Sequence, residues 1–279
     1  MPTDTVEHSV ALAREVAALT WYHTIDLGGE VVTPGEYDTR RALERIPFPT
    51  DLRGVRCLDV GTHDGFWAFE MERRGSEEVV AIDLDDPRAV DFSDPVPELL
   101  AEAIAARESR REAFDVAHRA LGSAVRRHNL SVYELPNAGL EPFGFAFIGT
   151  LLLHLRDPVR ALSAIRAVLE PGGALLVNDA ISLELSLLIP RAPVHSLSLK
   201  PSRPFWWVPN AQGLRRYLEK AAFVDVAGGR PYFVPRGAGH APEQWPRTPP
   251  GPLRALRERG MPHAWAAGRA PRFTPPGAP

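Results

Sequence analysis

The run Cys57-Leu58-Asp59-Val60-Gly61-Thr62-His63-Asp64-Gly65, followed by Val79-Val80-Ala81-Ile82-Asp83, decides the fold of this chain. The first run is a short apolar strand ending in an acid, then a turn with two glycines, then the start of an amphipathic helix. The second is another apolar strand, whose terminal acid, Asp83, falls about 18 residues beyond Gly65. That is close to the spacing of the ribose-binding acid in nucleotide-binding βαβ units. Glycines let a backbone pass close to a ligand. A carboxylate at a strand tip can accept two hydrogen bonds from vicinal ribose hydroxyls. Together the two runs predict a site for an adenosine-containing cofactor.

The form of the glycine turn narrows the choice. Dinucleotide folds use G-x-G-x-x-G, where a helix N-terminus meets a pyrophosphate. Here the pattern is D-x-G-x-x-x-G, with Asp59 ahead of the first glycine and Asp64 ahead of the second. Two carboxylates would repel a pyrophosphate and suit a ligand with an ammonium group and a sulfonium centre.

Outward from this core, strand and helix patterns alternate. Strands are expected at Arg56–Val60, Glu78–Asp83, Ala124–His128, Phe143–Gly149 and Ala174–Asn178. Helical patterns cover 6–19, the stretch from Asp64 or Gly65 to the stop at Gly75, Pro97–Leu121 and a segment opened by the cap pair Asp157-Pro158. Asn210 caps a further helix, and Phe223–Val226 and Tyr232–Val234 read as an antiparallel edge pair. The expected class is α/β, a doubly wound, mostly parallel Rossmann-like sheet with a helical N-terminal extension. The expected organisation is an extension or lid over 1–50, the main domain over 51–236 with a substrate-cap insert at 181–209, and a Pro/Gly/Arg-rich tail over 237–279, extended on the surface or partly disordered.

Composition sets bounds. The chain has 279 residues, 44% hydrophobic and 24% charged, with a formal charge of −3, so no basic excess marks a general nucleic-acid binder. The single cysteine, Cys57, reads as a small buried hydrophobe, and no zinc cluster or other metal site is expected. No signal pattern and no bilayer-length apolar run is seen, so a cytosolic location without membrane contact is expected.

The turn, together with VVAIDL at 79–84, VYELP at 132–136, LLLHLRDP at 151–158, LEPGGALLV at 169–177 and WWVPN at 206–210, resembles class I S-adenosylmethionine-dependent methyltransferases. Within them it is similar to the tRNA wobble-uridine methyltransferase and carboxymethyltransferase family, over roughly 50–235. The resemblance implies S-adenosyl-L-methionine as cofactor, held by Asp59, Gly61, Thr62, Gly65, Asp83, Leu84, Val132, Tyr133 and Gly149. Asp83 takes the ribose hydroxyls and the Val132–Tyr133 pair flanks adenine. Relatives using a carboxylated cofactor read its extra carboxylate with a tyrosine ahead of the loop histidine and with basic residues. Here Leu153 stands in that place and the segment at 33–38, TPGEYD, is acidic. These departures favour the plain cofactor.

His154, after the fourth strand, is the candidate general base, with His23 and His63 as alternatives. Trp21, Tyr22, His23, Trp206 and Trp207 are expected at the substrate. The expected reaction is methyl transfer to an O or N nucleophile of a small, largely apolar or aromatic molecule, in the manner of secondary metabolism. Two alternatives stand beside it: tRNA wobble-uridine modification, with tRNA as the partner, and a methyltransferase-fold protein that binds the cofactor for another role. The sequence does not decide the oligomeric state.

Overall fold

The computed structural model describes residues 2–86, 89, 91, 97–197, 205–240 and 259–272. The chain opens with α1 (Pro2–Ala17), β1 (Trp21–His23), β2 (Gly35–Tyr37) and a 3-10 turn at Thr39–Glu44. The core follows as β3 (Arg56–Val60), α2 (Phe66–Arg73), β4 (Glu78–Asp83), α3 (Pro97–Leu121), β5 (Arg126–Asn129) and β6 (Phe143–Gly149). It continues through α4 (Pro158–Ala167), β7 (Leu169–Ala180), α5 (Leu183–Leu188), β8 (His195–Leu197), β9 (Trp207–Pro209) and α6 (Ala211–Lys220). The last strands are β10 (Val224–Gly228), β11 (Tyr232–Val234) and β12 (Met261–Arg269).

Local chemistry sets several of these bounds. Asp157 accepts the Arg160 amide at 2.9 Å and Pro158 takes the first helical position, so α4 starts where its cap puts it. Asn210 does the same for α6 through the Gly213 amide at 2.8 Å. β4 and β6 are apolar runs bounded by polar or glycine turns, and both are buried through their middles.

The main sheet runs in the order β5-β4-β3-β6-β7-β12-β10. The first five of these strands are parallel, whereas β12 lies antiparallel to both β7 and β10. Strand order reverses between β3 and β6, where Val60 pairs with Ile148. Open α/β sheets bind ligands at such a reversal, outside the carboxyl ends of the strands. Gly61 and Gly149 sit at those ends.

Two apolar layers flank the sheet. One, with Leu58, Phe143, Ile148, Leu162 and Leu214, is covered by α4 and α6. The other, with Trp67, Met71, Phe114, Phe147 and Trp21, is covered by α2, α3 and the N-terminal segment. Cys57 is buried in the second layer, where burial pushes its thiol up to about 12.

The C-terminal expectation requires correction. Residues 261–269, placed in an extended tail, form an inner strand paired with β7 from Ala180 to Ala174. Accordingly β10 and β11 each pair with β12 rather than with each other. Of the expected tail, 241–258 and 273–279 lie outside the described residues, as does part of the expected cap insert at 198–204.

Candidate active site

The glycine turn is tied to the neighbouring strand. Gly61 and Thr62 donate their amides to Ile82 O at 2.9 and 3.1 Å. Gly61 has φ +77°, a conformation that suits glycine and leaves its backbone bare at the cavity wall. Beyond it, the His63 amide donates to Asp83 Oδ2 at 3.0 Å, and Asp83 Oδ1 takes the amide of Leu84 at 2.8 Å. The Asp83 carboxylate is thereby fixed at the end of β4, on the wall of a cavity of about 190 Å³.

That cavity lies at the strand reversal. One side is formed by Asp83, Leu84, Leu130, Val132 and Tyr133. Ser131 accepts the Tyr133 amide at 3.3 Å and opens a 3-10 turn at Val132–Asn137, which brings both side chains to the wall. The Tyr133 hydroxyl donates to Asp91 Oδ2 at 3.0 Å, and Arg160 stacks over its ring at 5.0 Å. The other side is formed by Gly149, Thr150, Leu151, His154 and the N-terminal pair Tyr22 and His23. His154 ends a short 3-10 turn, its ring edge-on to Phe205 with centroids 5.1 Å apart.

The N-terminal segment is held over the turn by Asp64, an acid that the sequence pattern marks only by its charge. Asp64 is wholly buried, and its Oδ2 accepts the amides of Tyr22 and His23, both at 2.8 Å. Its Oδ1 takes the His23 ring at Nδ1 in a short contact. His63, with φ +54°, lays its ring against Tyr22 with centroids 4.7 Å apart. From the other side β2 pairs with β1, and Gly237 and Gly239 donate to Glu36 O and Gly35 O.

Beneath the side formed by Gly149, Thr150 and Leu151 lies a buried polar chain from β12 and β7. His263 is fully buried, its Nδ1 at 3.0 Å from Met261 O and its Nε2 at 3.1 Å from Thr150 Oγ1. Burial holds this imidazole down to about 4, so it stays neutral, donates to the carbonyl and accepts from the hydroxyl. Asp179 accepts the amides of Leu151, Leu152 and Ala180 and shapes the loop after β6. Burial, with Tyr37 and Glu36 nearby, holds the Tyr22 phenol well above its ordinary range. Arg110, Asp91 and Thr150 are further wall residues that sequence reasoning missed. Arg110 lies in a long helix with no motif around it, and Asp91 lies in a loop without periodicity.

Of the residues expected at the cofactor, Gly61, Asp83, Leu84, Val132, Tyr133 and Gly149 stand on the cavity wall. Asp59, Thr62 and Gly65 do not. Gly65, at φ +96°, is a packing position, because a Cβ there would lie 2.4 Å from the Phe69 ring and 2.9 Å from Phe114. Of the residues expected at the substrate, Tyr22 and His23 reach the wall, whereas Trp21 is core, 2% exposed, with its indole N–H on Val16 O at 2.9 Å. Trp206 and Trp207 also stand off the wall. Their indole N–H groups donate to Asp91 O and Arg156 O, lashing the 205–209 segment to the loops after β4 and β6. Sequence position could not separate a pocket wall from a brace, since both need a large ring with a polar edge.

Asp59 lies under the turn, 1% exposed, and burial pushes its carboxyl up to about 7. Its Oδ2 and the neighbouring Thr62 Oγ1 have no hydrogen-bond partner among the described residues. A carboxyl that ionises less readily folded than unfolded lowers stability as pH rises from about 4 to about 7, and the loss persists above that. Asp59→Asn therefore raises the melting temperature more at pH 8 than at pH 5, relative to the parent. Equal shifts at both pH values in scanning calorimetry would show that the carboxyl is not the source.

A family model described as a methyltransferase domain matches residues 35–227. The chain is similar to tRNA U34 carboxymethyltransferase of Klebsiella pneumoniae (strain 342), 28% identical over 185 residues, which cover 65% of this chain and 47% of that protein. It is 27% identical to the protein of the same name from Pseudomonas putida (strain W619), over 65% of this chain and 49% of that one. The chain thus spans about half the length of the curated relatives it matches. Among solved structures, the [4+2]-cyclase SpnF shares the fold with a TM-score of 0.50 at 18% identity, covering 95% of this chain and 93% of that chain.

Proposed function

The chain belongs to the methyltransferase-domain family, the class I S-adenosylmethionine-dependent methyltransferases, and on that footing we propose that it methylates an O or N nucleophile of a small, largely apolar or aromatic molecule. The observation that carries the substrate class is the roof of the cavity. Tyr22 and His23, pinned by Asp64, cover its acceptor side together with Leu151 and His154, leaving a small, ring-lined recess rather than an open basic groove.

The residues present fit the cofactor. Asp83 receives the ribose hydroxyls, the Leu84, Val132 and Tyr133 side chains flank adenine, and the bare backbone at Gly61 lies along the methionine part. When bound, S-adenosylmethionine supplies an electrophilic methyl group on a sulfonium centre. The chain's own task is alignment: Gly149, Thr150 and His154 set the line of approach, and the roof excludes water. Leu153 is buried and offers no hydroxyl, and Glu36 and Asp38 keep the roof segment acidic, which supports the plain cofactor.

The test is transfer from methyl-labelled cofactor into a host extract split into small-molecule and RNA fractions. Label is expected in the small-molecule fraction with S-adenosylhomocysteine formed in step. Label in RNA, the substrate class in the curated relatives' names, would replace the proposal. Tight cofactor binding with no S-adenosylhomocysteine released would point to a role apart from methyl transfer; the structural neighbour SpnF is itself named as a cyclase.

A further inference from the structure

Three imidazoles line the cavity: His154 from the loop after β6, His23 from the N-terminal segment, and His63 from the glycine turn, whose ring lies against Tyr22 and has no carboxylate on it as close as the one that holds His23. Resting on the methyl-transfer reading, we infer that His23 is the general base, with Asp64 as its positioning residue, and that the acceptor is a hydroxyl or other group that still carries its proton at neutral pH.

The geometry around His23 is that of an oriented base. Asp64 Oδ1 accepts from Nδ1, which places the ring proton there and leaves Nε2 with the lone pair. Asp64 cannot turn away, because its other oxygen holds the amides of Tyr22 and His23 at 2.8 Å. The ring is also gripped flat, stacked on Phe66 with centroids 5.5 Å apart and 24° between planes, and edge-on to Tyr22 at 4.8 Å. His23 is 4% exposed and lines the cavity, and Nε2 makes no hydrogen bond among the described residues. A base on the cavity wall, a carboxylate that fixes its tautomer and a second nitrogen without a hydrogen bond among the described residues are the parts that general-base catalysis requires.

Charge balance also favours this pair. As the acceptor oxygen forms its bond to the methyl carbon, the carbon–sulfur bond breaks with its electrons going to sulfur, and the acceptor's proton passes to Nε2 of His23. The positive charge lost at sulfur reappears on the imidazolium, whose Nδ1–H faces the Asp64 carboxylate. Asp64 sits inside the cofactor turn, so the groups that shape one reactant's site also fix the base for the other.

The experiment uses the full chain with nitrogen-15-labelled histidine and S-adenosylhomocysteine bound. His23 is expected in one tautomer, with a downfield Nδ1–H resonance that disappears in Asp64→Asn. A His23 ring protonated at Nε2 in the neutral protein, or an Nδ1 signal unmoved in Asp64→Asn, overturns the inference whether or not any acceptor is found. In parallel, His23→Gln is assayed with a series of simple phenols of graded acidity. The expected loss in kcat is roughly a hundredfold or more for phenols that are protonated at the assay pH, and small for nitrophenols that are already ionised. Affinity for S-adenosylhomocysteine should be unchanged within about threefold. An equal loss across the series would make His23 structural. Failure of the parent to bind S-adenosylhomocysteine, or to methylate any fraction, would instead remove the proposed function.

Discussion

Asp83→Ala weakens binding of S-adenosylhomocysteine by roughly a hundredfold and leaves the fold in place. The carboxylate is presented at the end of β4 with one oxygen on the His63 amide and the other on its own neighbour's amide. A hydrogen bond to a charged group contributes about 1.5–3 kcal/mol, and each tenfold in affinity is about 1.4 kcal/mol. On the proposed role of Asp83, the substitution removes two hydrogen bonds to the ribose, and with solvent offsetting part of the cost this gives the expected factor. Asp83→Asn keeps one acceptor oxygen and should lose less. Titration calorimetry reads both, with thermal denaturation as the control for the His63 turn. Unchanged affinity in the alanine variant would remove Asp83 from the cofactor site.

Gly35→Val disables the protein by a different route. A Cβ at Gly35 would lie 2.3 Å from both the carbonyl carbon of His23 and the amide nitrogen of Thr24. Both are backbone atoms that no rotamer change can clear, so the β1–β2 pair must part. The expected results are loss of turnover by more than a hundredfold, release of Trp21 from its buried site, and cleavage by protease within the first 40 or so residues. Cofactor affinity should fall less than in Asp83→Ala, because β3 and β4 do not depend on the roof. Tryptophan fluorescence and limited proteolysis check this. A protease-resistant variant with native fluorescence would show that the segment can shift without losing its seat.

The parallel core was legible because its signals are local. β4 matched its expected bounds since an apolar run ends at a single acid, and α4 starts at its own cap pair. The last strand was not legible for the opposite reason. Met261–Arg269 carries three alanines and no β-branched residue, between proline-rich flanks. What makes it a strand is the backbone ladder supplied by β7 on one side and β10 on the other, a tertiary cause invisible to periodicity.

The site divides in the same way. The places of Asp83 and Gly61 on the cavity wall were readable because spacing along βαβ units is regular. Asp64 was misread as a charge awaiting a ligand's cation, whereas it satisfies amides some 41 residues earlier in the chain. Trp206 and Trp207 were misread because an indole N–H bound to a loop carbonyl and an indole facing a substrate look alike in sequence.

The place of β12 also governs when the protein can be finished during synthesis. β10 and β11 take their main partner from residues 261–269, and so does the outer edge of β7. Until those residues leave the ribosome, the nascent chain carries an open parallel edge and two strands with nothing to pair. His263 arrives on the same strand, so Thr150 receives its hydrogen-bond partner only at that stage. Pairings so distant in sequence are slow to form, and exposed strand edges invite association between chains. The growing polypeptide therefore passes through a window in which that edge and those strands are unpaired, and the window closes with one antiparallel strand.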